Sequence, residues 1–134
     1  MPTHDWPIRV YIEDTDAGGI VFYANYLKFM ERARTEWLRT EGFSKPAMPE
    51  SGRLLIVASI NVNYVRSAKL DDELILKTRI LKAARSYWDI EQLVMRDNEL
   101  LCEGTIRLAC VDSQTFKPKG IPSALAAIAQ KHAS

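Results

Sequence analysis

Few side chains in this sequence could do acid, base or nucleophilic work inside a fold. The two histidines, His4 and His132, lie near the two ends. A Ser-His-Asp or Cys-His arrangement, a zinc site or a histidine general base each needs an ordered imidazole, which terminal tails hold poorly. Acid or base chemistry therefore falls to a carboxylate. Asp16 is the foremost candidate, because it stands in Asp14-Thr15-Asp16-Ala17-Gly18-Gly19, where adjacent glycines accept positive φ without steric penalty and so form a turn. In one reading this aspartate is a base or nucleophile; in the other it shapes the turn. A calcium loop is excluded, since Asp14-x-Asp16-x-Gly18 lacks a third oxygen side chain and its twelfth position is Asn25. Glu31 is the alternative acid, with an ion pair to Arg34, three residues on, as its competing role. No metal site is expected.

The elements that must position these groups follow from periodicity. Ile8, Val10 and Ile12 alternate with Arg9, Tyr11 and Glu13, which predicts a half-buried strand running into the Asp14–Gly19 turn. From about Ala24 to Glu41 the period becomes helical: Tyr26, Phe29, Met30, Ala33 and Trp37 form an apolar stripe, and Gly42 is suited to stop the helix. Residues Phe43 to Arg53, with Pro46, Pro49 and Gly52, read as a surface connection. Four strands come next. Ile56, Ala58, Ile60, Val62 and Tyr64 share one face, and Leu74, Leu76, Thr78 and Ile80 repeat the pattern. Trp88, Ile90 and Val94 continue it, then Leu100, Cys102, Ile106, Leu108 and Cys110, with Asp97-Asn98 as a tight hairpin turn. A short helix can follow Pro122. The last three strands can pair as an antiparallel meander, and an apolar helix stripe packed on an apolar sheet face makes an α+β fold.

Composition limits the function classes. The 134 residues, 47% hydrophobic, suit a single domain with one core, spanning 1-134. With 18 basic and 17 acidic residues the formal net charge is +1, which argues against a nucleic-acid partner. No apolar run approaches the roughly 20 residues of a membrane span, and the N-terminus lacks the features of an export signal. A cytoplasmic location is the expectation. Cys102 and Cys110 fall eight residues apart on one expected strand, beyond disulfide reach, and are expected to be reduced and buried.

The run Val10-Tyr11-Ile12-Glu13-Asp14-Thr15-Asp16-Ala17-Gly18-Gly19-Ile20-Val21-Phe22-Tyr23-Ala24-Asn25-Tyr26 resembles the signature of the hot-dog-fold acyl-CoA thioesterases of the 4-hydroxybenzoyl-CoA thioesterase type. Together with Glu31-Arg32-Ala33-Arg34-Thr35-Glu36 and Arg66-Ser67-Ala68-Lys69-Leu70-Asp71-Asp72, it looks like the thioesterases associated with the bacterial Tol-Pal envelope system. The similarity runs from about Val10 to Pro118. It implies a five-stranded antiparallel sheet wrapped around one long helix, a homo-oligomer (dimer or tetramer) with active sites at the subunit interface, and hydrolysis of acyl-CoA. Acyl carrier protein is an alternative acyl donor. The family's catalytic aspartate carries over to Asp16, and its carbonyl-polarising backbone N–H to Tyr23. Tol-Pal-associated members commonly carry histidine where Tyr23 stands, so any step belonging to that histidine does not occur here.

The chemistry suits the residues. Thioester hydrolysis requires a nucleophile or base and an oxyanion donor, and needs no metal or cofactor because a thiolate leaves readily and coenzyme A is part of the substrate. Asp16 supplies the first, as attacking group or as activator of water; N–H groups at a helix N-terminus supply the second. Gly19 is expected to contact the substrate, and Phe22 and Tyr26 to wall an acyl tunnel. Arg66, Lys69 and Arg85, with Ser86 beside them, are expected at the coenzyme A phosphates. Trp37, Trp88 and Tyr64 are expected in the core. A dehydratase of the same fold needs a histidine paired with an acid, which this chain lacks between His4 and His132. A non-catalytic acyl-CoA or acyl-carrier-protein binding module is the alternative from another class.

Overall fold

The computed structural model describes residues 3–43 and 52–132. The elements are β1 (His4–Arg9), a 3₁₀ turn (Ile12–Asp14), α1 (Asn25–Thr40), β2 (Arg53–Tyr64), β3 (Glu73–Ala83), β4 (Tyr87–Arg96), β5 (Glu99–Asp112) and α2 (Ser123–His132). Every strand pair is antiparallel and the sheet order is β1-β3-β4-β5-β2. The expected meander thus forms the centre of the sheet, and the two earlier strands become its edges.

The helix stripe is observed as read: Tyr26, Phe29, Met30, Ala33 and Trp37 are all buried against the sheet face built from Leu74, Leu76, Ile80, Trp88, Ile90, Val94, Cys102, Ile106 and Leu108. Burying each large apolar side chain contributes about 1.5–3 kcal/mol. The helix ends where Gly42 takes φ +100°, with its N–H donating to the Arg39 carbonyl and the Phe43 N–H to that of Leu38, a left-handed C-terminal closure that glycine adopts without strain. At one point α1 lies close enough to β5 that a side chain on the strand would have to displace Met30. A Cβ added at Gly104 would meet Met30 Cε at 3.1 Å and Sδ at 3.2 Å. The C-terminal helix does form: Leu125, Ile128 and Ala129 join the core.

Three expectations are corrected. The first strand begins at His4 and ends at Arg9, so Ile12 lies outside it, 76% exposed in the 3₁₀ turn. Here Asp14 caps the turn through its side chain, and this local hydrogen bonding competes with strand extension. His4 pairs with Thr78 in this strand, so it is not a loose tail residue. The single face read along β2 is also broken. Val57 pairs with Leu108 and Ser59 with Arg107, which makes Ala58 the extra residue of a β-bulge. Leu55 and Val57 before the bulge therefore share a face with Ile60, Val62 and Tyr64 after it, while Ile56 and Ala58 leave that face. β2 itself begins at Arg53; residues 44–51, including Pro46 and Pro49, lie outside the described residues.

Candidate active site

The loop between β1 and α1 is built by hydrogen bonds. Asp14 is buried, accepting from the Tyr11 backbone N–H (2.9 Å) and from Asn25 Nδ2 (2.9 Å), while its carbonyl accepts the Phe22 N–H (3.0 Å). This residue, read in the sequence only as part of a turn, ties the loop to the first residue of α1. Asp16 follows on the exposed side. Its N–H donates to the Ile20 carbonyl, its own carbonyl accepts from Gly19, and its Oδ1 accepts the Gly18 N–H at 2.9 Å. Asp16 thus shapes the turn with one oxygen, and among the described residues Oδ2 has no partner. Gly19 sits at φ +77° with open space where a Cβ would stand.

The chain enters α1 through a β-turn, in which the Asn25 N–H donates to the Phe22 carbonyl at 2.8 Å. The next donors, on Tyr26 and Leu27, also find partners within this first turn. Among the described residues the N–H groups of Tyr23 and Ala24 have none. No side chain caps the helix and no acidic residue lies in its first turn, so the positive end of its dipole meets free donors, the arrangement that binds anions.

A cavity of about 240 Å³ opens between this helix start and the end of β2, lined by Asp16, Tyr23, Tyr26, Tyr64 and Arg66 among others. Tyr26 is buried, and its hydroxyl accepts the Ala68 N–H at 2.9 Å; burial pushes its phenol above the usual range. Tyr64 is a correction. It is 47% exposed and not in the core, because it ends an edge strand, and its ring meets Tyr26 edge-on at 5.5 Å and Tyr23 at 6.2 Å. Phe22 is exposed, 4.7 Å from the Tyr23 ring. Trp37 and Trp88 are buried together, as expected, 6.1 Å apart.

A charge network that the sequence reading missed holds the basic segment beside this cavity. Arg96 donates to Asp72 Oδ2 at 2.7 Å and Glu99 Oε1 at 2.6 Å, while Arg66 Nε lies 3.2 Å from Glu99 Oε2. The Lys69 backbone N–H also donates to Asp72. Burial opposes ionisation of Asp72, but the Lys69 N–H and Arg96 outweigh it and hold its carboxyl below the usual range. Lys69 bridges to Ile20 beside the Asp16 turn. Periodicity offers no signal for such a network, since its members come from two segments far apart in the chain, residues 66–72 and 96–99.

Other candidates lie elsewhere in the chain. Arg85 and Ser86 sit in the β3–β4 turn, which strand geometry puts about 30 Å from the Asp72 end of β3. There the Ser86 carbonyl holds the Cys110 N–H. Glu31 is exposed and lines a different cavity with Arg34, on which its charge acts. The side-chain hydrogen bond of Arg34 goes to Gln92. Cys102 and Cys110 are both buried, and burial pushes the Cys102 thiol up to about 12. Among the described residues no group of three or more His, Cys, Asp or Glu side chains could hold a metal ion, and no helix is long and apolar enough to cross a membrane.

Residues 10–128 match the thioesterase-like superfamily. The chain is 42% identical to the acyl-CoA thioesterase YbgC of Haemophilus influenzae over 87% of either chain. It is 41% identical to the acyl-CoA thioester hydrolase YbgC of Escherichia coli over 91% of this chain and 92% of that one. Among solved structures it superposes on a probable thioesterase of Bartonella henselae with a TM-score of 0.79, 33% identity, and 91% and 100% of the two chains covered. A DHNA-CoA thioesterase of Staphylococcus aureus gives a TM-score of 0.85 at 26% identity over 96% of this chain and 91% of that one.

Proposed function

The chain belongs to the thioesterase-like superfamily and has its hot-dog fold, and from that premise we propose that it hydrolyses acyl-CoA thioesters with Asp16 as base or nucleophile and the Tyr23 N–H as oxyanion donor. The observation that carries this reading is the cavity joining Asp16 to the uncapped start of α1. A thioester carbonyl seated there has a free carboxylate oxygen on one side and an unused N–H on the other. Attack at the carbonyl carbon, by Asp16 or by a water that Asp16 deprotonates, puts negative charge on the carbonyl oxygen where the helix end stabilises it. The C–S bond then breaks and the coenzyme A thiolate leaves and takes up a proton; where water attacked, it ends as the hydroxyl of the acid, and where Asp16 attacked, water then hydrolyses the mixed anhydride, releasing the acid and restoring the Asp16 carboxylate. No metal or cofactor takes part.

Gly19 gives the thioester close access to the turn, Phe22 and Tyr26 flank the acyl group, and Arg66 and Lys69 meet the coenzyme A phosphates. Acyl carrier protein remains a second donor, since it presents the same thioester. With an acyl-CoA substrate goes a cytoplasmic location. That relatives at 41–42% identity are named thioesterases favours hydrolysis over a binding module without turnover.

The working unit in this proposal is a homodimer or a tetramer of two dimers. Among the described residues β2 has no strand on its outer edge, and it exposes Ile56, Val57 and Ile60, an edge that proteins seldom leave open. A second copy pairing β2 antiparallel across a two-fold axis would bring the Arg53 end of its strand against the Tyr64 end of this one. Arg85 and Ser86 of that copy, beside Cys110, would travel with it toward the cavity.

The test is Asp16→Asn, assayed by thiol release from a panel of acyl-CoA esters. The amide keeps the turn-forming oxygen for the Gly18 N–H but cannot accept a proton or attack. A fall in kcat of about a hundredfold or more, with an unchanged melting temperature, is expected. Undiminished turnover would exclude Asp16.

A further inference from the structure

A second cavity, of about 220 Å³, lies between the middle of α1 and the first half of β2, walled by Leu38, Leu55, Val57 and Leu108 with Arg34, Thr35 and Glu31. It shares no lining residue with the Asp16 cavity, and Arg34 stands about 14 Å along α1 from the helix start. Arg34 is unusual in being an arginine with 7% of its surface exposed. Buried guanidinium groups normally face a carboxylate at hydrogen-bond distance. Here the hydrogen-bond partner among the described residues is a neutral amide: Nη1 donates to Gln92 Oε1 at 2.9 Å.

Gln92 has no freedom to do otherwise. It is fully buried, and its Nε2 donates both to the Met30 carbonyl (2.9 Å) and to Thr78 Oγ1 (3.0 Å), so its two donors are spent and its oxygen must face Arg34. Gln92 on β4, with Thr78 on β3 behind it, thus fixes one corner of the Arg34 guanidinium, and the other N–H groups of this cavity-lining residue have no hydrogen-bond partner among the described residues. Burial of the cation opposes its charge, and Glu31 alone among the carboxylates offsets this; Glu31 is itself exposed on the neighbouring turn.

We infer that this cavity is a binding site for a small carboxylate with an apolar body, its oxygens held by Arg34 and its carbons lying on Leu38, Leu55, Val57 and Leu108. The planar fork of arginine matches a carboxylate with two parallel hydrogen bonds. The volume is below the roughly 300–1,000 Å³ of pockets for drug-sized ligands, which sets the ligand at a few carbons. The proposal does not require that Asp16 be catalytic. Two sources carry this chemistry. One is a free carboxylic acid, the product class of thioester hydrolysis. The other is a carboxylate at the far end of an acyl group, which the two-fold pairing of β2 would let reach from the cavity of one copy toward the Leu55–Val57 half of the other.

The experiment has a binding arm and a turnover arm, both on the full chain in its native assembly. In the first, calorimetric titration with butyrate should show binding to the wild type and at least tenfold weaker binding of the neutral isostere butyramide. Arg34→Met should weaken butyrate binding tenfold or more. Thr35→Phe, which keeps the charge and fills the cavity, should do the same, so the outcome does not hang on the folding of one variant. Glu31→Gln should tighten it, since a competing carboxylate is removed. In the second arm, which rests on the thioester-hydrolysis reading, kcat/KM for succinyl-CoA is divided by that for butyryl-CoA. A ratio that falls tenfold or more in Arg34→Met identifies the distal acyl carboxylate as the source; an unchanged ratio with lost butyrate binding identifies the free acid. Butyrate that fails to bind the wild type, or that binds Arg34→Met and Thr35→Phe as well as the wild type, overturns the site whatever the turnover shows.

Discussion

Tyr23→Pro separates a backbone role from a side-chain role at the start of α1. The Asn25 N–H donates to the Phe22 carbonyl, so Tyr23 occupies the second position of a four-residue turn. The residue after it, Ala24, has φ −68° and ψ −21°, close to a type I turn, in which the second position takes φ near −60° and favours proline. Phe22 precedes the helix without belonging to it, as a residue before proline should. Among the described residues the Tyr23 N–H has no partner, so proline removes no hydrogen bond of the fold. It does remove the donor proposed for the oxyanion. Losing one such donor costs about 2.7–4 kcal/mol in the transition state, a hundred- to a thousandfold in kcat. Thiol release from a short acyl-CoA measures turnover, and thermal unfolding followed by circular dichroism establishes that the variant is folded. Tyr23→Phe and Tyr23→His keep the amide and should stay within about tenfold of the parent. A folded Tyr23→Pro protein with near-normal turnover would refute the helix-start oxyanion site, and a collapse in Tyr23→Phe alone would move the role to the phenol.

Glu31→Gln should cost far less kcat than Asp16→Asn in the same assay, because Glu31 faces a different cavity; the reverse order would transfer catalysis to α1. Sedimentation at micromolar concentration should give a dimer or a larger even assembly, and Ile60→Lys on the exposed edge strand β2 should shift it toward monomer; a wild-type monomer that still hydrolyses thioesters would sink the shared-interface reading. Gly104→Ala should lower stability by about 1–2 kcal/mol through overpacking against Met30, and Met30→Ala should absorb most of that loss, a coupling that a double-mutant denaturation cycle reads directly. With its thiol pushed up to about 12, folded Cys102 should be about 10⁻⁴ thiolate at pH 8 and resist iodoacetamide until urea exposes it. Because the folded thiol is raised above its ordinary 9.0, its contribution to stability is complete below pH 9 and is lost as pH rises from about 9 to 12.

The helix, the meander and the Asp16 turn could be read along the chain because each rests on local rules. The stripe from Tyr26 to Trp37 has the period of one buried helix face, Leu74 to Ile80 alternates as a half-buried strand must, and Gly18-Gly19 permits a turn that few other pairs allow. The motif from Val10 to Tyr26 added the family, and with it the role expected of Asp16. Other features depended on which segments meet. Nothing near Ala58 announces a bulge, yet that one extra residue, set by pairing with β5, decides that Val57 and Ile60 share a face. Tyr64 looked like a core aromatic until the sheet order made β2 an edge, turning it into a cavity wall. Arg34 reads on the helix as a surface residue with Glu31 one turn before it. Only the approach of Gln92 from β4, with Thr78 behind it, shows that its guanidinium is buried and held. The physical reason is the same in each case: backbone propensity and periodicity act over a few residues, whereas burial, register and charge pairing are properties of segments far apart in sequence that the fold brings into contact.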